Sequence, residues 1–115
     1  MAHPFDVDEL MNNIKTAAAG ILQKDISTIS GFSQAQLRAL AKQAAWIAEA
    51  TAKNELNEEE RAFFLRNLAD MARNFVKVLQ GLAAITIEKL WNAVVDVLWG
   101  AIRGAAGSIP LPLPI

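Results

Sequence analysis

The chain has 115 residues and a mass of 12.5 kDa, with 11 basic and 12 acidic side chains, a formal net charge of −1 and a sequence pI near 5.8. That length holds one modest domain, and the near balance of charge argues against the broad electropositive field of a nucleic-acid-binding surface. The absence of cysteine excludes a disulfide scaffold, a thiolate metal site and a cysteine nucleophile, and the lone histidine, His3, leaves a His-based triad or metal site nothing but the N-terminus to build from.

Hydrophobic residues make up 53% of the chain. Average usage is about 45–50% even with glycine included, so apolar side chains are in excess. The opening residues Met1 to Asp6 carry no cationic stretch, so no cleavable secretory signal is expected.

The signals are helical almost throughout, because no proline occurs between Pro4 and Pro110. The first predicted helix covers 6–30. Its early acids (Asp6, Asp8, Glu9) suit the positive end of a helix dipole, and Val7, Leu10, Met11, Ile14, Ala18, Ile21, Leu22 and Ile26 recur at helical spacing. The second covers 34–53. Ser33 and Gln36 have the spacing of a capping box, with Phe32 and Leu37 as its hydrophobic staple.

Asn57 and Glu60 repeat the capping-box spacing and open a third helix over 58–80, with Phe64, Leu65, Leu68, Ala72, Phe75, Val76 and Leu79 on one face. Gly81 is read as a break, after which Thr86 caps a fourth helix over 86–103, with Ile85 stapled to Leu90. The alternative is one long helix bent at Gly81. The fourth segment is apolar around most of its circumference, apart from a thin strip of Glu88, Asn92 and Asp96. Residues 104–115, with Pro110, Pro112 and Pro114 alternating with Leu111 and Leu113, predict an extended tail.

The expected fold class is therefore all-α: one domain, 1–115, built as an antiparallel array of three to four helices with an extended proline-rich C-terminal tail.

Few residues point to chemistry. Glu58, Glu59 and Glu60 read as a helix N-terminus before they read as an acid cluster. Asp70, between Arg66 and Arg73, reads as part of a solvated ion-pair face. No catalytic residue, cofactor, metal or small-molecule substrate is expected, and no nucleic-acid partner.

The informative features are packing features. Ala41, Ala44, Ala45, Ala48 and Ala52 form stripes that allow close helix approach, and Gly100 and Gly104 have GxxxG spacing. The last helix and tail carry more apolar surface than three short neighbours are expected to cover. Leu90, Trp91, Val94, Val95, Leu98, Trp99 and Ile102, with Ile109, Leu111, Leu113 and Ile115 of the tail, are thus read as an oligomer or membrane contact surface.

A lone membrane span is not expected. The large aliphatics of 86–103 contribute roughly −2 to −4 kcal/mol on an insertion scale, and Asp96 returns roughly 2.5–3.5 kcal/mol of it.

The leading functional expectation is a non-enzymatic, self-associating structural or assembly protein, partnered by copies of itself or by other subunits of a larger assembly. One alternative is a membrane-inserting pore component of a virion or secretion apparatus, with Glu88, Asn92 and Asp96 facing a lumen. Another is a soluble adaptor that receives a partner helix or peptide, using Met11 or Met71 as adaptable contacts.

Overall fold

Residues 6–106 and Pro112 are described by a computed structural model. Every regular element among them is helical: α1 (Val7–Leu22), a 3-10 turn (Ile26–Thr28), α2 (Gln34–Ala52), α3 (Glu58–Lys77) and α4 (Ala84–Ala106).

The first predicted helix is corrected. It stops at Leu22, where Gln23 turns into the left-handed region at φ 58° and its backbone N–H donates to the Ala19 carbonyl. The Gln23 side chain donates to the Gly20 carbonyl at 2.8 Å. Asp25 then opens a separate turn by accepting the Ser27 N–H at 2.9 Å. Ile26 and Ile29 stay buried in this new geometry. Their continued burial explains why the apolar spacing had looked helical up to 30.

At the start of α2, Ser33 Oγ accepts the Gln36 N–H at 3.1 Å. Phe32 is half-buried and packs edge-on to Phe75 of α3, with ring centroids 6.1 Å apart. The box at α3 forms in both directions: Glu60 N–H donates to Asn57 Oδ1 at 2.7 Å, and Asn57 N–H donates to Glu60 Oε1 at 3.0 Å.

Helix α3 ends at Lys77, and Gly81 sits in the following turn at φ 79°. That turn is tied to the loop before α2. Gln80 N–H donates to the Ser30 carbonyl at 2.8 Å, and Gly31, at φ 94°, packs directly against the Val78 carbonyl.

Both ends of the fourth predicted helix shift. It begins at Ala84, and Ile85 is 58% exposed while Leu90 is fully buried, so the expected staple does not form. It runs on through Gly104 to Ala106, because alanine is the strongest helix former and no proline intervenes before Pro110.

One core gathers side chains from all four helices and the 3-10 turn. Helix α4 packs against α1, α2 and α3, most extensively against α2. The small side chains Ala41, Ala44, Ala45 and Ala48 lie buried on α2, whereas Ala52 is exposed at the last turn and takes no part in close packing. An Asp8–Arg38 ion pair at 3.5 Å brings the first turn of α1 beside the beginning of α2.

Among the described residues the core boundary contains one polar mismatch: the Thr51 hydroxyl is buried and has no hydrogen-bond partner. Leaving such a group unpaired costs about 1–3 kcal/mol. Thr51→Val keeps the branched shape and removes the hydroxyl, so it is expected to raise stability by about 1 kcal/mol, read as a higher urea midpoint at unchanged m-value. A lower midpoint would show that the hydroxyl is satisfied after all.

Candidate functional site

The structure corrects the first surface expected from sequence. Leu90, Trp91, Val94, Val95, Leu98, Trp99 and Ile102 are between 0% and 5% exposed, all inside the chain's own core. The apolar circumference of α4 is covered by three neighbours of the same chain, each contributing one stripe, so these side chains form no free contact surface. Ile109, Leu111, Leu113 and Ile115 lie outside the described residues.

Glu88, Asn92 and Asp96 are exposed along one strip of α4. Gly100 and Gly104 lie on this outer side too, with nothing close enough to meet an added Cβ.

The polar faces serve local structure. Asp70 pairs with Arg73 at 3.3 Å, and the Arg73 guanidinium lies 5.1 Å from the centre of the Trp91 ring, joining α3 to α4. Glu49 pairs with Lys53 at 3.0 Å one turn on, which holds the Lys53 ammonium above its ordinary value.

A shallow open depression beside the end of α1 is lined by Lys15, Thr16, Ala19, Gln23, Lys24 and Asp25. The Asp25 carboxyl titrates below its ordinary 3.8, first because it accepts the Ser27 N–H and, to a lesser degree, because Lys15 is near. That carboxylate is thus engaged in capping the 3-10 turn. No group of three or more His, Asp or Glu side chains that could hold a metal ion occurs among the described residues.

The feature that local structure does not account for is aromatic. Trp46 on α2 and Phe63 on α3 are 45% and 51% exposed. Phe64, half-buried between them, meets Trp46 edge-on at 4.8 Å and Phe63 at 5.4 Å. The three rings make a continuous ridge along the outer seam of α2 and α3.

Helical geometry puts it there. Neighbouring residues on a helix differ by about 100°, so Phe63 and Phe64 cannot both face the core. Phe64 shares the seam with Leu65 and Leu68, and Phe63 is turned outward. On α2, Ala45, Ile47 and Ala48 take the buried arc and leave Trp46 outside.

Sequence spacing did not single out this ridge: neither Trp46 nor Phe63 belongs to a stripe, cap or candidate site expected from it. The signal was present in the adjacent phenylalanines, one of which falls off the stripe that Phe64, Leu68, Ala72 and Phe75 define. A smaller aliphatic patch, Val78 at 45% and Ile85 at 58% exposure, flanks the α3–α4 turn.

Comparison with protein-family models, with curated proteins and with solved structures gives no match. Among the described residues, no helix is long and apolar enough to cross a membrane.

Proposed function

We propose that this chain is a non-enzymatic, self-associating assembly protein whose contact surface is the aromatic ridge of Trp46, Phe64 and Phe63. In this reading α2–α3 and α3–α4 are antiparallel hairpins that hold the ridge in place. The observation that carries the proposal is that two large aromatic side chains, packed beside a third, leave about half of their surface in solvent.

Aromatic side chains are enriched at protein interfaces and dominate their energetics, because they bury a large area at little cost in rotamer entropy. A ridge set on two helices loses little further freedom on binding. The exposed strip of α4, with its small residues Gly100 and Gly104, offers a second flat face to a neighbour.

The test is the molar mass of the purified chain, measured by light scattering behind a sizing column over a wide concentration range. Self-association predicts a discrete multiple of 12.5 kDa in detergent-free buffer. A monomer at every concentration would sink the proposal and favour an adaptor whose ridge receives a different protein.

A further inference from the structure

Charge flanks the ridge in a self-complementary order. On α2, Lys42 lies four residues before Trp46 and Glu49 three residues after it. On α3, Glu60 lies three residues before Phe63 and Arg66 three residues after it. At about 100° per residue, all four fall within about 60° of the aromatic on their own helix. All four are exposed.

The ring contacts through Phe64 set Trp46 and Phe63 side by side across the seam. In the antiparallel α2–α3 hairpin of the reading above, one flank of the ridge therefore carries Lys42 and Arg66, and the other carries Glu49 and Glu60. Lys42 and Arg66 make no ion pair among the described residues. On the acidic flank Glu49 pairs with Lys53, Glu60 accepts the Asn57 N–H, and exposed Glu59 adds a third carboxylate. Farther out on the basic flank, Asp70 pairs with Arg73 of its own helix.

We propose that the ridge seats the same ridge of a second copy, in an isologous pair whose two-fold axis crosses α2 and α3 at right angles. This inference rests on the self-association proposed above and fixes its stoichiometry and orientation.

That axis runs each helix antiparallel to its own counterpart, centred on the exposed ring. A residue three positions before the ring then faces the residue three positions after it in the other copy. Glu60 faces Arg66 of the second copy, and Arg66 faces its Glu60. Lys42 and Glu49 exchange in the same way. The charge pairs sit about 4.5–6 Å to either side of the aromatic centre, as the rim of the contact.

The other two-fold arrangement has its axis along the helices and lays α2 on α3 of the second copy. It opposes Lys42 to Arg66 and Glu49 to Glu60, like charge against like on both flanks, and such juxtaposition disfavours it. A partner of one sign would match only half of the face. A second copy matches both halves, because in an isologous contact each surface carries its own complement.

The test is the assembly midpoint of the full chain, read by light scattering. Iodide quenching reports on Trp46, since Trp91 and Trp99 are 2% and 1% exposed. Two variants reverse one flank each: Lys42→Glu with Arg66→Glu, and Glu49→Lys with Glu59→Lys. Glu60 stays, because it caps α3. All four substituted positions are exposed, and circular dichroism checks that helix content is kept.

The expected result is a discrete species at twice 12.5 kDa with Trp46 shielded. Raising sodium chloride from about 0.05 M to about 0.5 M should raise the midpoint at least about tenfold, because opposed charges are screened. Each variant alone should raise it at least about tenfold, and an equimolar mixture of the two should return it to within about threefold of the parent.

Assembly at a higher multiple, or a pair whose midpoint ignores both salt and the reversals, overturns this pairing and leaves self-association standing. A pair that tightens as salt rises overturns the orientation, as does a mixture no stronger than its two components. A monomer at every concentration overturns both proposals.

Discussion

Gly31→Ala is expected to destabilise the fold by about 3 kcal/mol or more, among the largest effects of any single substitution in this chain. Gly31 holds φ 94°, and a Cβ placed there would overlap the Val78 carbonyl oxygen and lie 2.9 Å from the carbonyl carbon. Two costs combine. A non-glycine residue at positive φ pays roughly 1–2 kcal/mol in backbone strain. The end of α3 would also have to move away from the loop before α2, against the Gln80–Ser30 hydrogen bond.

Gly81 separates the two costs, since its φ is 79° but nothing stands within 4 Å of an added Cβ. Gly81→Ala should therefore lose only the strain, about 1–2 kcal/mol. Gly20 lies within α1 with open space around it, so alanine there should gain about 0.8–1 kcal/mol in helix propensity. Urea midpoints of the three variants should fall in that order. If Gly31→Ala unfolds at the same urea concentration as the parent, the packing of loop on turn is not as described.

Trp99→Ala is expected to cost about 3–5 kcal/mol, the usual loss when a buried aromatic is truncated to a methyl and its cavity only partly collapses. That is a large share of the roughly 5–15 kcal/mol that a domain of ordinary stability possesses. Trp99 is 1% exposed in the second half of α4, among side chains of the core. The variant should lose stability and keep the parent's molar mass wherever it remains folded. The opposite pattern, unchanged unfolding midpoint with altered mass, would move Trp99 to a surface between copies.

Much of the local structure was legible from short-range signals. The Asn57–Glu60 box forms as its spacing implies, and Ser33 accepts the Gln36 N–H at the start of α2. Caps are legible because donor and acceptor are three residues apart, and their geometry depends on nothing else in the molecule.

The end of α1 was not legible in this way. Ile26 and Ile29 are buried by a 3-10 turn, and burial produces the same apolar spacing whether or not a helix is continuous. The exit of α4 was misread for a related reason. The fourth helix was expected to end at 103, before Gly104, but the last turns continue through it to Ala106.

The candidate site was less legible than the fold. An apolar residue in a sequence carries a burial preference but no address. Leu90, Trp91, Val94, Val95, Leu98, Trp99 and Ile102 looked like a surplus in need of a partner, and the chain's own helices supply it. Trp46 is a large apolar residue on an alanine-rich helix, and the fold leaves it 45% exposed.

What the sequence determined by itself is the helical class, the caps and the stripe each helix offers to a core, because these follow from spacings of three and four residues. Only the tertiary structure decided which stripes meet. Helix α4 lies against three neighbours that together cover its broad apolar face, and the α2–α3 seam closes with Phe64 inside and with Trp46 and Phe63 outside. The physical reason is that burial is a property of pairs of surfaces. Each helix states how much apolar area it offers, and the assembled fold determines what remains in water.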